Sequence, residues 1–342
     1  MAYYGIQLNG LCNKKVKKSI IITSIFPSTK AVDSYSKYES YKTIVVGDKK
    51  SPVEYNNANV TFLSVETQSK FGYAVNKELP FNHYCRKNIG YVFAIQGGAE
   101  VIFDTDDDNI PYTDWSFPDF NGKYDQVYSN LGFVNVYSLF TEQNIWPRGL
   151  PLNKINSKLT ETQLQKRSCT VGIWQGLVDE DPDVDAIYRL INNTPCYFKK
   201  RTPVVLAHGT ISPLNSQNTF WRKELFPLLY LPSTVTFRFT DILRGYVAQP
   251  IMWLYNYSPG FTQATVRQER NPHDYMTDFK SEIPCYLRGE NVIEIISKKI
   301  SSSYSIYDNL VIAYEELHKN GIVEKNEIVL VDSWINDLQK HD

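Results

Sequence analysis

The amino-acid sequence predicts an α/β fold with a mostly parallel, doubly wound sheet. Short apolar runs typical of buried strands alternate with helix-like segments through about the first hundred residues. One of these runs, at 101–103, leads into the consecutive carboxylates Asp106, Asp107 and Asp108. Strands that alternate with helices in short units favour a parallel sheet, and such sheets bind ligands at the carboxyl ends of their strands. We therefore expect a ligand site at these aspartates.

The individual elements are expected in the following order along the chain. Strands are predicted at 19–25, 43–47, 60–63, 101–103, 132–138, 170–174, 203–207 and 234–239. Helices are predicted at 28–40, at 81–97 with Gly97 and Gly98 as its stop, and from near Ala186. From Asn291 the chain reads as mainly helical, because the apolar residues of 306–317 share one helix face before Gly321. The sequence thus predicts one large domain at 1–285 and a small, mainly helical extension at 286–342.

Composition narrows the class of protein. The 342 residues are 42% hydrophobic and carry a net charge of -1, which excludes a disordered chain and gives no basic field for nucleic acid. The five cysteines contain no CxxC pair, so reduced thiols in a reducing compartment are expected. No apolar run approaches the roughly 18 residues of a membrane helix, and no signal-peptide pattern opens the chain. We expect a soluble, cytoplasmic protein without a transmembrane anchor; its oligomeric state is left open.

The aspartate triplet is the strongest chemical signal in the sequence. Three adjacent carboxylates repel one another, and a hard divalent cation such as Mn²⁺ or Mg²⁺ relieves that repulsion. Diphosphate oxygens can complete the shell of such a cation. The alternative is a solvated acidic turn. Because the triplet follows directly on a strand, the sequence favours the metal site.

Polar residues near two other expected element boundaries point to the same ligand edge. Asp48 follows the second strand, where a carboxylate can contact a nucleotide base or ribose, although a Gly-Asp pair is commonly just a turn. Arg86 and Asn88 lie near the start of the helix that precedes the triplet. Arg86 can clamp a phosphate through two hydrogen bonds, and the alternative is an ordinary surface arginine.

This order of motifs resembles that of GT-A glycosyltransferases, in which the strand-end aspartates form the DxD motif. Further blocks at 146–152, 176–186, 215–219 and 238–249 resemble STELLO-type glycosyltransferases. The same blocks are more distantly similar to plant reversibly glycosylated polypeptides, the UDP-arabinopyranose mutases. The resemblance covers about residues 19–280. It implies a GT-A-type, Rossmann-like sheet flanked by helices in the large domain.

The resemblance also implies an activity. It predicts a metal-dependent enzyme that moves a sugar from a UDP- or GDP-sugar donor to a hydroxyl of a glycan or other acceptor. Asp106 and Asp108 then become the nucleotide and metal carboxylates, with Asp107 between them at the nucleotide. Arg148 occupies the position of the arginine that becomes glycosylated in the mutases, but here Gly-Leu-Pro follows it instead of Gly-Tyr-Pro. Arg148 could therefore instead orient a phosphate or the acceptor. A nucleotide-sugar mutase therefore remains an alternative, as does a non-catalytic scaffold with this fold.

Two further roles come from the same resemblance. If the enzyme inverts, one acid must deprotonate the acceptor hydroxyl. Asp241 is the first candidate for this base and Asp185 the second, although Asp185 could instead cap a helix. A histidine late in the chain is expected to complete the metal shell, and His273 is preferred over His208 because of its chain position.

Overall fold

The computed structural model describes residues 18–270 and 274–340. Its strands are β1 (Lys18–Thr23), β2 (Lys42–Val46), β3 (Val60–Leu63), β4 (Val101–Thr105), β5 (Asn109–Pro111), β6 (Asn121–Val127), β7 (Gly132–Phe133), β8 (Leu164–Asp179), β9 (Val204–Leu206), β10 (Thr210–Ile211), β11 (Asn218–Arg222) and β12 (Ser258–Gln268). Its helices are α1 (Lys30–Tyr35), α2 (Val65–Ser69), α3 (Ala74–Glu78), α4 (Lys87–Gln96), α5 (Ala186–Ile191), α6 (Thr240–Leu254), α7 (Tyr275–Ser297), α8 (Ile306–Lys319) and α9 (Asn326–Gln339).

One large sheet organises the described chain, in the order β3-β2-β1-β4-β11-β8-β6-β9-β12-β5. The four strands β3, β2, β1 and β4 are parallel, while β11 pairs antiparallel with both β4 and β8. Beyond β8 parallel and antiparallel pairs are mixed. Ile20, Ile21 and Ile22 are all fully buried, because helices or loops cover both faces of the parallel part. The predicted α/β class is confirmed.

The C-terminal helices pack onto the same core as the sheet. Helix α9 contacts α3 and α4, and α7 and α8 contact α6. Ile21 of β1 and Trp334 of α9 belong to one continuous hydrophobic cluster. The predicted domain boundary at 285/286 falls inside α7, so the division into two domains stays a prediction. In the described part of the chain no helix is long and apolar enough to cross a membrane.

Several predicted elements differ from the structure. Only β7 and a 3-10 turn form within 132–138, and 234–239 is not a strand. The latter segment alternates like a strand, but it packs against α7, where Thr236 Oγ1 donates to the Ser281 carbonyl at 2.6 Å. It forms a 3-10 turn that runs directly into α6. Strands β11 and β12 were not predicted.

Gly90 provides a test of how closely α4 packs on the parallel strands. A Cβ atom at this position would lie 2.6 Å from Val46 Cγ2 and 2.8 Å from Ile21 Cγ2. Both neighbours are buried and β-branched, so neither can move aside freely. We expect Gly90→Ala to lower the free energy of unfolding by about 1–3 kcal/mol, although alanine is the better helix former. Urea denaturation measures this change, and an unchanged or higher midpoint would contradict it.

Candidate active-site cleft

A cleft of about 450 Å³ lies at the carboxyl ends of the parallel strands. It gathers residues that are far apart in the sequence. Seven of the residues predicted from the sequence line it: Asp48, Arg86, Asp106, Asp107, Asp108, Arg148 and Asp241. Unpredicted residues complete the lining, among them Ser24, Phe26, His83, Tyr84, Gln217, Phe237, Arg238, Gln268 and Arg270. The cleft therefore contains the aspartate triplet and the later blocks of the chain together.

The three aspartates have different partners. Asp106 Oδ1 accepts from Tyr84 Oη at 2.6 Å, and Asp107 Oδ2 accepts from Ser24 Oγ at 2.5 Å. Asp108 Oδ2 accepts from Gln268 Nε2 at 2.8 Å. Asp108 Oδ1, in contrast, is buried and has no hydrogen-bonding partner among the described residues. A buried carboxylate oxygen without a donor is unfavourable unless a ligand satisfies it.

The environment opposes ionisation of the triplet. Burial, reinforced by the charge of Asp106, raises the pKa of Asp107 to about 6 and that of Asp108 to about 7. Burial also raises the pKa of Asp106, against the effect of Lys87. The sequence argument relied on mutual repulsion, whereas burial is the larger cause in the structure. Both causes would be relieved by a bound cation.

A buried ionic cluster lies beneath the triplet. Asp104, at the end of β4, is fully buried between Lys87 Nζ at 2.7 Å and Arg244 Nη1 at 2.8 Å. Lys87 Nζ also donates to the Thr105 carbonyl at 2.6 Å and lies 3.1 Å from Asp106 Oδ1. The aspartates of the cleft are thus attached to a rigid support. Sequence reasoning missed Lys87 and Arg244, although an aspartate inside an apolar strand requires a buried cation nearby.

Arg148 lies between two carboxylates at the other side of the cleft. Its Nε and Nη2 donate to Asp183, both at 2.8 Å, and its Nη1 and Nη2 donate to Asp241, both at 3.0 Å. A further bond from Nη1 to the Arg238 carbonyl occupies the fifth N–H. Burial alone would lower the pKa of Arg148, but Asp183 and Asp241 raise it well above the ordinary value. The guanidinium is therefore saturated and permanently charged.

The carboxylate of Asp241 likewise accepts hydrogen bonds from several groups of the protein. Its oxygens accept from Arg148, from the Ser216 backbone N–H at 3.2 Å and from the Ile242 backbone N–H at 3.0 Å. Burial alone would raise the pKa of Asp241, but Arg148 outweighs burial and lowers it. It lies in the first turn of α6 rather than after a strand. A carboxylate with many donors and a lowered pKa is a weak base, so the geometry favours a positioning role.

The remaining predicted residues have structural partners. Asp185 does not line the cleft; it caps α5 by accepting from the Tyr188 backbone N–H at 2.9 Å, and it accepts from Trp146 Nε1 at 2.7 Å. The capping interpretation therefore describes this residue. Asn88 also lies outside the cleft, since its amide bonds both backbone groups of Leu231 at 2.9 Å. It connects α4 to the loop before α6.

Arg86 is a buried residue at the floor of the cleft. Its Nη2 donates to Asn76 Oδ1 at 2.8 Å and to Gln68 Oε1, and its Nη1 donates to the Leu79 carbonyl at 3.3 Å. These partners hold α2 and α3 in place, so most of its donors are not available to a phosphate. His208 stacks on Trp253 and does not line the cleft. His273 lies outside the described residues.

The lining of the cleft includes a histidine, His83, that sequence reasoning missed. His83 Nδ1 accepts from the Cys85 backbone N–H at 3.1 Å, and the His83 backbone N–H donates to Asp48 Oδ2 at 3.2 Å. Burial, against the charge of Asp48, lowers the pKa of His83. Because Nδ1 accepts a hydrogen bond, the neutral ring carries its proton on Nε2 and can donate a hydrogen bond in the cleft. No pattern in the sequence pointed to it.

Comparisons with known proteins find similarity to the STELLO glycosyltransferases. Residues 238–342 match the family model of STELLO glycosyltransferases. The chain is 27% identical over 351 residues to STELLO1 of Arabidopsis thaliana and 26% identical over 348 residues to STELLO2, both described as probable glycosyltransferases. These alignments cover 95% of the chain. The chain is thus similar to the STELLO proteins over most of its own length. It spans 45% of the length of each STELLO relative, so the similarity concerns one part of those proteins.

One solved structure also has a weak structural similarity to the chain. It is glucosyl-3-phosphoglycerate synthase of Mycobacterium tuberculosis, with 10% identity, a TM-score of 0.38 and 80% coverage of both chains. Similarity at this level supports no argument about chemistry. The function must therefore be argued from the cleft itself.

Proposed function

We propose that the chain is a metal-dependent glycosyltransferase that uses a nucleotide-diphosphate sugar as its donor. The observation that carries this proposal is the buried Asp108 Oδ1, which has no partner among the described residues and lies in a cleft with Asp48, Asp106 and Asp107. The similarity to STELLO glycosyltransferases supports the same class of reaction. UDP- and GDP-sugars are the donors to test, and the acceptor contributes a hydroxyl.

The described residues fit a cation that is shared with the donor. Among residues 18–270 and 274–340, no group of three or more His, Cys, Asp or Glu side chains is arranged to hold a metal ion alone. Mg²⁺ typically takes one or two carboxylates together with substrate phosphates, so a complete protein cage is not required. Asp108 and Asp106 would hold it. When bound, Mn²⁺ or Mg²⁺ would supply positive charge for the diphosphate leaving group.

The residues of this chain have separate tasks in the proposed reaction. Asp48 and His83, at the β1–β2 end of the cleft, offer a carboxylate and a ring N–H to the nucleotide. Tyr84 and Lys87 fix Asp106 in place through its Oδ1 atom. The saturated Arg148 fixes Asp183 and Asp241, which form the opposite wall. The acceptor is expected at that wall, because the triplet occupies the donor side.

The mutase alternative requires Arg148 to attack the sugar, and the structure opposes this. Every N–H of the guanidinium is already donated, and two carboxylates keep it protonated. We therefore expect no covalent sugar on Arg148. Intact mass measurement after incubation with radiolabelled or unlabelled UDP-sugars, with Mn²⁺, checks this expectation. An adduct that disappears in Arg148→Lys would instead support the mutase.

A non-catalytic scaffold is the remaining alternative. Calorimetric titration with UDP or GDP, each with and without Mn²⁺, separates it from the enzyme. The proposal predicts binding of at least one nucleotide that depends on the metal. If neither nucleotide binds with Mn²⁺ at millimolar concentration, the scaffold is the better description. A screen of nucleotide sugars for slow hydrolysis then identifies the donor.

A further inference from the structure

A second cavity, of about 600 Å³, adjoins the proposed active-site cleft. Its lining includes Arg189, Arg270, Asn193 and Tyr275. Three carboxylates also line it, and each is already paired: Asp181 with Arg189, and Glu180 and Glu269 with Arg267. Gln268 and Arg270 line both this cavity and the cleft, so the two spaces share a boundary. The hydroxyl of a molecule seated here would be close to the cleft.

Two buried arginines in this cavity each have an unused donor. The side chains of Arg189 and Arg270 are only 3% and 7% exposed. The Nε atom of each is buried and has no hydrogen-bonding partner among the described residues. Buried N–H groups are nearly always paired in folded proteins, and an unpaired one on a charged group is especially unfavourable. Two such groups that line one cavity point to a missing acceptor.

The charges around the two arginines are unevenly balanced. Arg189 Nη2 pairs with Asp181 and donates to the Pro182 carbonyl at 2.7 Å, so its charge is compensated. Arg270 has a weaker ion pair, with Asp278 at 3.6 Å. Burial, followed by repulsion from Arg238 and Arg189, lowers the pKa of Arg270. Among the described residues, Arg270 therefore has less compensating charge than Arg189.

We propose that this second cavity binds an anionic group, a phosphate or a carboxylate, carried by the acceptor substrate. Arg270 provides the charge and Arg189 Nε provides a second donor, because guanidinium groups match the geometry of such anions. Arg189 does not line the cleft, so it lies on the side away from the expected donor diphosphate, whereas Arg270 lines both spaces and lies at their boundary. The inference rests on the proposed transferase function and specifies its acceptor class.

Calorimetry with matched hexoses tests the inference without any assay of transfer. Glucose 6-phosphate and glucuronate are the anionic probes, glucose is the neutral one, and each is titrated with and without saturating UDP and Mn²⁺. We expect at least one anionic hexose to bind in both conditions and glucose to bind at least about tenfold more weakly. Arg270→Gln and Arg189→Gln should each raise the Kd about tenfold, and Arg270→Lys should recover part of the loss.

Arg222→Gln is the matched control, because Arg222 is 15% exposed, pairs with Glu224 and lines neither the cleft nor the second cavity. This control should leave the Kd unchanged. Competition between UDP and the anionic hexose would overturn the inference by assigning the anion to the donor site. Equal binding of all three hexoses, or binding of neither anionic hexose, would also overturn it. Binding of UDP in the presence of Mn²⁺ is measured in a separate titration. Failure of the proposed function is therefore distinguishable from failure of the anion site.

Discussion

Replacing Asp108 by asparagine should abolish the stabilisation of the protein by Mn²⁺ and nucleotide. A ligand that binds only the folded state stabilises it by RT ln(1 + [L]/Kd), which is about 2.7 kcal/mol at a concentration of about 100 Kd. We expect this gain in the wild-type chain and none in Asp108→Asn. The reason is that Asp108 Oδ1 is a buried cleft oxygen without a hydrogen-bonding partner among the described residues, and asparagine replaces the carboxylate that a cation would contact. Thermal melts with Mn²⁺ and UDP or GDP measure the difference.

The stability of Asp108→Asn without metal or nucleotide is the internal control for this experiment. Asp108 accepts one hydrogen bond, from Gln268, and its ionised form is disfavoured by burial. Asp108→Asn should therefore be at least as stable as the wild type when no ligand is present. Asp114→Asn, at an exposed aspartate of the following loop, should retain the full ligand-induced shift. If the shift survives in Asp108→Asn, the aspartate triplet does not hold the metal.

Arg148→Ala should destabilise the fold by about 3–5 kcal/mol at neutral pH. The substitution leaves Asp183 and Asp241 buried, close together and without their shared cation. Uncompensated buried charge is among the largest single-residue effects, and the loss is a large fraction of the stability of an ordinary domain. Urea denaturation monitored by circular dichroism measures the change. Arg148→Lys should recover only part of it, because lysine cannot make the four carboxylate bonds.

The pH dependence of this effect has a definite sign. Arg148 lowers the pKa of Asp241 in the folded protein, so this interaction contributes stability above the unfolded-chain value near 3.9 and loses it as pH falls through the lower folded pKa. In Arg148→Ala the buried carboxylates can instead take up protons. The difference in unfolding free energy between wild type and variant should therefore shrink as pH is lowered from 7 towards 4. The triple variant Arg148→Met with Asp183→Asn and Asp241→Asn should regain much of the loss at pH 7. Equal destabilisation at both pH values would contradict this account.

The wrong secondary-structure predictions have a common physical cause. Residues 234–239 alternate in the manner of a strand, yet contacts with α7 hold them as a 3-10 turn at the start of α6. Local periodicity reports which faces are apolar, but it does not report which neighbour buries them. Strand β11 was missed for a related reason. It is short and inserts antiparallel between β4 and β8, so its pairing depends on strands distant in the chain.

By itself the sequence determined the α/β class, the strand that carries the aspartates and seven of the residues that line the cleft. The class and the aspartate strand depend on apolar runs, turn residues and carboxylates at strand ends, which are local properties, whereas the roles expected of Arg148 and Asp241 came from the family resemblance. Only the tertiary structure decided which of the carboxylates are free. Asp241 and Asp183 are occupied by Arg148, Asp185 caps a helix, and Asp108 keeps one oxygen unpartnered among the described residues. Burial and ion pairing set these differences, and both arise from side chains that meet across long stretches of the chain.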